Sequence, residues 1–346
     1  MYQPMHHVAV TPRRTPDDLR TVAELDDRIG VLSAYFATGP NSPDARALRD
    51  KLTVLCERAR SWRARDRRAL SHAADRLLQR VRQPAATSST AALAVYWRLD
   101  AGESVELALP SAVGCTATVA AHAQLGPLCE AIQAGRPAGV LHVDDDLGAL
   151  YEIAGAAPVP PRLLARSAMR MRDAALEHGR RHGWDLLLVT GRGEGVDQIL
   201  GIGSDEPPTV IDGRPTVAMT SPAWRATAAC AIASERRRRA SRELAALLDQ
   251  AHHGDGAAIC DLESVRGAIP GGRVRKLLVA TPYRPPGPAV GVAPWPQATE
   301  ALLHAAALGD VAVKVAPAGP RPLDAPLIVA QLDRFDERPA RDLRAS

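Results

Sequence analysis

The sequence contains few lysines and few aromatic residues. Only three of its 43 basic residues are lysines, Lys51, Lys276 and Lys314, and its aromatic content is 3%. Arginine therefore carries nearly all of the positive charge, and its planar guanidinium binds phosphate through two hydrogen bonds at once. Because the net charge is only +4, a nucleic-acid-binding surface has to arise from local clusters of arginine rather than from the charge of the whole chain.

Paired cysteines and long apolar runs are also missing. Five cysteines are scattered over 346 residues without a Cys-x-x-Cys pair, which argues against a disulfide framework and against a thiolate zinc site. No apolar run is long enough for a membrane-spanning helix, and the N-terminus lacks the basic and then apolar segments of a signal peptide. We therefore expect a cytoplasmic protein with no membrane contact, no metal and no cofactor. The sequence does not set the oligomeric state, and we expect a monomer.

The length and the order of apolar segments predict several α/β (α+β) domains, because the chain is too long for one ordinary core. Breaks rich in glycine or proline occur at Gly135–Pro137 and Gly254–Gly256, and such breaks mark domain boundaries. We expect the following segments: an N-terminal α/β domain over residues 1–135, a middle domain over 136–222, a linking helix over 223–253 and a C-terminal α/β domain over 254–346.

The N-terminal segment predicts alternating helices and strands. The expected helices cover Asp17–Asp27, Asp44–Ala64, Asp66–Arg82 and Leu125–Ala134, and the expected strands cover Gly30–Thr38, Ala91–Trp97 and Ser104–Leu109. Many arginines, including Arg80, occur on the second and third of these helices with acidic residues among them. A solvated helical face is the favoured interpretation of this cluster, and contact with RNA is the alternative.

The middle segment predicts a βαβ unit. Two apolar runs, Gly139–Val143 and Ala149–Ile153, alternate across an Asp/Gly turn and predict a β-hairpin. A helix is expected over Arg162–His182, and the apolar run Asp185–Thr190 predicts a buried strand. At 100° per residue, the expected helix places four arginines opposite its apolar stripe: Arg162, Arg166, Arg170 and Arg180.

The last third of the chain predicts a long helix followed by another α/β segment. The long helix extends from Pro222 to about His252 and contains the consecutive arginines Arg236, Arg237, Arg238 and Arg239. Beyond it we expect helices over Asp261–Ile269 and Gln297–Leu308 and strands over Val274–Ala280, Val311–Val315 and Leu327–Ala330.

Several motifs suggest chemistry that their surroundings do not favour. Gly191–Gly195 resembles a dinucleotide-binding loop, but its glycine spacing is wrong and an ordinary strand–helix turn is favoured. Gly271–Gly272 is interpreted as a turn before a strand. Asp144–Asp146 suits a turn better than a cation site. His178 and His182, at i and i+4, could share a metal ion, but Gly179-Arg-Arg181 between them favours a basic surface.

The order of these pieces resembles one family, the bacterial relatives of the archaeal and eukaryotic class 1 release factor and Pelota. The matching segments extend over most of the chain: Gly30–Thr38, Ser104–Pro110 with Pro127–Ile132, Val140–Asp144 with Tyr151–Ile153, Gly272–Val279 and Ala301–Gly309. The resemblance implies a three-domain release-factor-like architecture, with a C-terminal domain akin to kink-turn-binding ribosomal proteins.

The sequence departs from release factors at their catalytic motif. No Gly-Gly-Gln and no Asn-Ile-Lys-Ser occurs in the chain, and the loop that should carry the glutamine is Ala154–Pro161. Pelota and the bacterial hibernation factor Balon are relatives that also bind ribosomes, and Pelota lacks Gly-Gly-Gln. The resemblance therefore implies a non-catalytic factor that binds the ribosomal A site in hibernation, stress or rescue, with the ribosome, its RNA and a translational GTPase as partners.

Two other functions stay open at this point. A peptidyl-tRNA hydrolase would need a displaced glutamine, for which Gln198 in Gly195-Val-Asp-Gln198 is the candidate, although it lies on a different loop. An RNA-binding module unrelated to ribosomes is the third interpretation. With the resemblance, phosphate contact is expected of the following residues: Arg162, Arg166, Arg170, Arg180, Arg181, Arg236, Arg237, Arg238 and Arg239.

Overall fold

The computed structural model is a mixed α/β protein with three β-sheets. It describes residues 6–9, 15–38, 42, 44–83, 92–109, 111, 113–144, 147–153, 162–164, 167–202, 207–214, 223–253, 256–281, 296–316 and 328–332. These residues belong to two compact units, one up to Arg239 and the other from Ala240 onward. No helix in the described part of the chain has both the length and the apolar character needed to cross a membrane.

The first unit begins with a five-stranded sheet in the order β1-β4-β3-β2-β5. Its strands are β1 (His6–Ala9), β2 (Asp26–Phe36), β3 (Ala92–Arg98), β4 (Glu103–Leu109) and β5 (Thr116–His122). Its helices are α1 (Thr15–Ala23), α2 (Asp44–Arg58), α3 (Ala64–Arg80) and α4 (Gly126–Ala134), with a 3-10 turn at Ala59–Ser61. Strand β1 pairs parallel to β4, and the other neighbours pair antiparallel.

The hydrophobic core of this sheet forms where α2 and α3 cover one of its faces. Leu48 of α2 and Leu77 of α3 are buried against Leu32, Phe36 and Trp97 of the strands. On β2, Tyr35 alternates with Ala34 and Phe36, and its hydroxyl lies 2.6 Å from the hydroxyl of Tyr96. Because successive side chains of a strand point to opposite faces, both faces of β2 are buried.

Helix α1 ends at Ala23, whereas the sequence predicted a helix up to Asp27. The reason is the role of Asp27 in the sheet. Its carboxylate accepts hydrogen bonds from the backbone amides of Ile29 and Gly30 at 2.9 and 3.0 Å and of Asp100 at 3.0 Å. Burial would raise the pKa of Asp27, but these backbone hydrogen bonds hold it below its usual value.

Arg80 is an exception to the solvated arginines expected on α2 and α3. Its side chain is 7% exposed and its Nε lies 3.0 Å from Oε2 of Glu106, which is 2% exposed. A buried charge is tolerated only when it is paired, so this arginine contributes to the interior and not to a binding face.

The second sheet of the first unit has the order β10-β9-β6-β7-β8. Its strands are β6 (Ala138–Asp144), β7 (Leu147–Ile153), β8 (Arg162–Leu164), β9 (Leu186–Arg192) and β10 (Thr209–Asp212), and its helices are α5 (Ala168–His182) and α6 (Glu194–Gly201). Strands β6 and β7 form the predicted antiparallel hairpin. Strands β6 and β9 are parallel neighbours in the sheet, and α5 lies between them along the chain. The predicted βαβ unit is therefore confirmed.

Helix α5 begins at Ala168 and not at Arg162 as the sequence predicted. Residues 162–164 instead form the edge strand β8, in which Leu164 pairs with Gly148 and Leu163 with Ala149. Pairing with β7, and not the local helical pattern, therefore decides the structure of this segment. At its other end α5 stops at Gly183, which has a φ of 68° in the left-handed region that favours glycine.

The second unit contains a four-stranded sheet in the order β11-β14-β12-β13. Helix α7 (Trp224–His253) leads into it, and the elements that follow are β11 (Ala258–Ile259), α8 (Leu262–Ala268), β12 (Val274–Ala280), α9 (Gln297–Leu308), β13 (Ala312–Ala316) and β14 (Ile328–Leu332). Asp261 caps α8 by accepting a hydrogen bond from the Ser264 amide at 2.7 Å. The sequence predicted β12 and α9 with these same bounds.

The boundary between the two units falls within α7, between Arg239 and Ala240. The sequence predicted this segment as a linking helix over residues 223–253, and a single helix is found over Trp224–His253. The first and second sheets belong to the same compact unit, and the domain division predicted at residue 135 stays a prediction.

Candidate nucleic-acid interface

Helix α5 presents an arginine-rich face to solvent. Its apolar stripe, which includes Met171 and Ala175, is buried on the second sheet, whereas Arg170, Arg180 and Arg181 are exposed. Among the described residues, neither Arg170 nor Arg180 has an ion-pair or hydrogen-bond partner. These two guanidinium groups can therefore bind an anion without first breaking a hydrogen bond or ion pair to another described residue.

Arg181 is less available than Arg170 and Arg180. It forms an ion pair with Glu177, one turn earlier on α5, and both side chains are exposed. Because exposed i,i+4 pairs contribute only about 0.3–0.5 kcal/mol, a phosphate can compete for this arginine.

The four consecutive arginines of α7 point in different directions, and the structure places Arg236 in the interior. Its side chain is 8% exposed. Its Nε donates to Oδ2 of Asp185 at 2.9 Å, and its Nη atoms donate to the carbonyl oxygens of Ala134 at 2.9 Å and Arg136 at 2.8 Å. All of its nitrogen donors are directed at protein acceptors, so Arg236 is unsuited to the RNA contact expected from the sequence.

The other three arginines of the run are nearer to solvent, but two of them share an acidic neighbour. Glu235 lies 2.6 Å from Arg238 and 3.0 Å from Arg239, whereas Arg237 is exposed beside the hydroxyl of Ser234. Burial would raise the pKa of Glu235, but the hydrogen bond from Arg239 and the charge of Arg238 hold it below its usual value. The ionised carboxylate offsets part of the positive charge of this cluster.

The two arginine-rich helices pack on opposite faces of the second sheet. Leu141 and Val189 are buried in the core beneath α5, whereas Val140 and Leu188 are buried with Ile232 of α7. Since side chains alternate between the two faces of a strand, α5 and the first part of α7 cover different faces. The arginines predicted from the sequence therefore do not form one continuous surface.

Of the other two arginines predicted for this helix face, one belongs to a strand and one lies outside the described residues. Arg162 is part of β8, at the edge of the sheet, and not of the helix. Arg166 lies outside the described residues, as do the expected loop at Ala154–Pro161 and Asp145–Asp146 of the predicted acidic turn.

Gly271–Gly272 is a turn, as the sequence predicted, whereas Gly191 still belongs to strand β9 and the chain leaves the strand for α6 at Gly193, which has a φ of 90°. Gly272 has a φ of 64° between α8 and β12. Gly191 has a φ of 123° at the end of β9, where a Cβ would lie 1.8 Å from the carbonyl oxygen of Val143. Any other residue at position 191 would force β6 and β9 apart, so close strand packing accounts for this glycine.

A second group of polar side chains lies at the C-terminal end of α5. His178 and His182 meet Glu152 of β7, and the potential metal-binding atoms of the three residues all lie within 4.8 Å of one another. The sequence indicated the histidine pair but not Glu152, because this residue comes from a different element. No other group of three or more such residues was found in the described part of the chain.

No family model and no curated protein matches the chain. Among solved structures, the archaeal translation termination factor aRF1 is 15% identical, with a TM-score of 0.28 over 94% of this chain and 98% of that one. A model of ribosome-bound archaeal Pelota and ABCE1 matches at 13% identity and a TM-score of 0.37 over 93% of this chain and 94% of that one. Archaeoglobus fulgidus Pelota matches at 15% identity and a TM-score of 0.32 over 66% and 74%. Each TM-score is below 0.5, so none of these similarities assigns a function to the chain.

Proposed function

We propose that the protein is a non-catalytic translation factor that binds the A site of the ribosome during hibernation, stress or rescue. Its proposed partners are the ribosome, ribosomal RNA and a translational GTPase. The proposal includes a three-domain organisation, with the middle domain at residues 136–222 and a C-terminal domain of the kink-turn-binding type after the linking helix.

One observation carries this proposal, the order of segments along the sequence. Residues resembling all three domains of release factors and Pelota follow one another, while Gly-Gly-Gln is absent from the chain. A chain that keeps the ribosome-binding segments but lacks the catalytic glutamine is suited to occupy the site without hydrolysing peptidyl-tRNA.

The exposed face of α5 supports this function with a concrete binding surface. Arg170, Arg180 and Arg181 belong to a helix whose apolar stripe is buried, so the fold fixes the backbone positions from which these side chains extend. A helix on folded RNA meets the phosphate backbone before the base edges. We therefore propose that these three arginines contact ribosomal RNA mainly at phosphates.

Ribosome binding at several salt concentrations tests the surface. Each phosphate contact releases condensed counterions, so replacing Arg170, Arg180 and Arg181 by alanine should reduce the slope of log affinity against log salt by roughly two to three units. Lysine at the same positions should restore only part of the affinity, because it keeps the charge and loses the planar fork. The measurement is co-sedimentation of the purified protein with ribosomes.

A matched control separates this surface from general positive charge. Arg46, Arg49 and Arg58 are exposed on α2, and replacing them by alanine removes the same charge from another element. We expect this variant to keep the wild-type salt slope. Equal losses in both variants would indicate nonspecific attraction, and no binding by the wild type to ribosomes from growing or starved cells would refute the proposed function.

Peptidyl-tRNA on stalled ribosomes tests the absence of catalysis. We expect no release of peptide by the wild-type protein. Gln198, which is exposed on α6, is the residue that a hydrolase would use in place of the missing motif. Release of peptide that is lost in Gln198→Ala would assign the protein to the enzymes instead.

A further inference from the structure

The histidine pair at the end of α5 forms a compact cluster with Glu152. His178 and His182 are one turn apart, and their rings stack with centroids 4.0 Å apart and 25° between their planes. Nδ1 of His182 lies 3.6 Å from Oε2 of Glu152. Both histidines and the glutamate are half-buried, so the fold holds them close together without enclosing them completely.

The fold brings these three side chains together from two elements. On β7, Leu150 is buried in the core beneath α5, and Glu152, two residues on, points to the same face. Trp184 packs beside the histidines, with its ring centroid 5.1 Å from that of His178 and 6.5 Å from that of His182. The Trp184 ring in turn packs closely on Gly139, where a Cβ would lie 2.1 Å from its Cζ3 atom.

We propose that Glu152, His178 and His182 bind a divalent transition-metal ion, with zinc as the best fit. Two imidazoles and a carboxylate are a donor set that suits zinc and its neighbours, whereas magnesium and calcium prefer oxygen donors alone. Zinc lies about 2.0–2.2 Å from such donors, which places tetrahedral ligands roughly 3.3 Å apart. The 3.6 Å separation between His182 and Glu152 is already close to this value.

The local electrostatics also suit a cation despite the nearby arginines. Glu152 supplies one negative charge, and His182 is the last residue of α5, where the helix carries partial negative charge. Arg181 is paired with Glu177 on the exposed side of the helix. Three protein ligands leave a fourth position for water, and the bound ion cross-links β7 to the end of α5. The competing explanation is an ion pair between protonated His182 and Glu152 without any metal.

Metal uptake by the full chain tests this proposal independently of ribosome binding. The protein is treated with a chelator, dialysed and titrated calorimetrically with Zn²⁺ in one experiment and with Mg²⁺ in another. We expect one Zn²⁺ per chain, no uptake of Mg²⁺, and a rise in melting temperature with Zn²⁺ alone. Co²⁺ should give the visible absorption bands of a tetrahedral site.

Two sets of variants assign the uptake to this cluster. His178→Ala/His182→Ala should abolish stoichiometric binding, and Glu152→Gln, which keeps the shape of the side chain, should weaken it by at least tenfold. His252→Ala/His253→Ala removes two exposed imidazoles from the end of α7, and it should bind like the wild type. If the double variant at α5 does not fold, Glu152→Gln carries the test by itself.

Two outcomes would overturn the proposal. The first is the absence of Zn²⁺ uptake by the wild type, which would leave the ion pair as the explanation of the cluster. The second is stoichiometric uptake that is unchanged in Glu152→Gln and in the double variant, which would place the ion elsewhere on the chain.

Discussion

Each of the two parts of α7 is held to its own unit by a charged side chain, which is an arginine in the first part and a glutamate in the second. In the first unit, Arg236 donates to Asp185 and to backbone carbonyl oxygens, and its side chain is 8% exposed. In the second unit, Glu243 accepts hydrogen bonds from Lys276 and Lys314, two of the three lysines in the chain. The side chains of this second group are each between 27% and 32% exposed.

The difference shows how the geometry of the cation determines its use. Arginine has five donors in a planar fork and can satisfy a carboxylate and several carbonyl oxygens at once, so it can be buried. The lysine ammonium is a compact, strongly hydrated charge, and here each lysine keeps contact with water while it pairs with one carboxylate oxygen. We therefore expect the first attachment to be the stronger one.

Removal of Arg236 should have the largest effect on stability. Arg236→Ala leaves Asp185 and several carbonyl oxygens without their donor, and we expect a loss of about 3 kcal/mol, toward the lower end of the range for breaking buried ion pairs. The lower end applies because Asp185 is 29% exposed and can regain some water. Chemical denaturation followed by circular dichroism measures it, and a loss below about 1 kcal/mol would contradict the interior role.

Removal of the charge of Glu243 should have a smaller effect. Glu243→Gln weakens the pairing with two partly exposed lysines, and we expect a loss of about 1 kcal/mol, the upper end for solvent-accessible pairs. Asp249→Asn in α7, at an exposed position of the same unit, is the matched control and should change stability by no more than about 0.5 kcal/mol. Thermal unfolding measures the loss of stability in the two variants. An equal loss in both would show that Glu243 has no special role.

Acidic pH should reduce the difference in stability between the wild type and Glu243→Gln. Burial would raise the pKa of Glu243, but the hydrogen bonds from Lys276 and Lys314 hold it below its usual value of 4.5. A carboxyl whose pKa is lowered by folding stabilises the protein above its unfolded pKa, and this contribution is lost as the pH falls through the folded pKa. The stability difference between wild type and Glu243→Gln should therefore shrink below about pH 4.5. A stability difference that stays constant as the pH is lowered would contradict this prediction.

Arg237 should give the smallest effect, although it is the direct neighbour of Arg236. Its side chain is exposed, and Ser234 is its only hydrogen-bond partner among the described residues. We expect Arg237→Ala to change stability by no more than about 0.5 kcal/mol, as is usual for surface positions. A larger loss in the same denaturation experiment would show that burial does not explain the different effects of Arg236→Ala and Arg237→Ala on stability.

Elements with strong local signals were predicted well from the sequence. Strand β12 and helix α9 have the predicted bounds, because a Gly-Gly turn precedes the strand and a proline precedes the helix. Strand β5 was not predicted, since Thr116–His122 is a run of small residues with no clear alternation. It forms because β2 offers a long partner, with which it pairs from Thr116 to His122.

The candidate binding residues were predicted only in part, and β8 illustrates the reason. Arg162-Leu-Leu164 continues the helical pattern of α5 in the sequence, but pairing with β7 makes it a strand. Helical periodicity describes one segment at a time, whereas a strand is decided by a partner that is distant along the chain. Arg162 therefore moved from the expected helix face to a sheet edge, while Arg170 and Arg180 stayed exposed on α5.

The sequence by itself determined the α/β alternation, the long helix over Trp224–His253 and the richness in arginine of α5 and α7. Only the tertiary structure decided which arginines face solvent, that Arg236 is enclosed by Asp185 and three backbone carbonyl oxygens, and that Glu152 joins His178 and His182. The physical reason is the range of the interactions. Turns and helix ends depend on neighbouring residues, whereas burial and ligand geometry depend on side chains that folding brings together from separate elements.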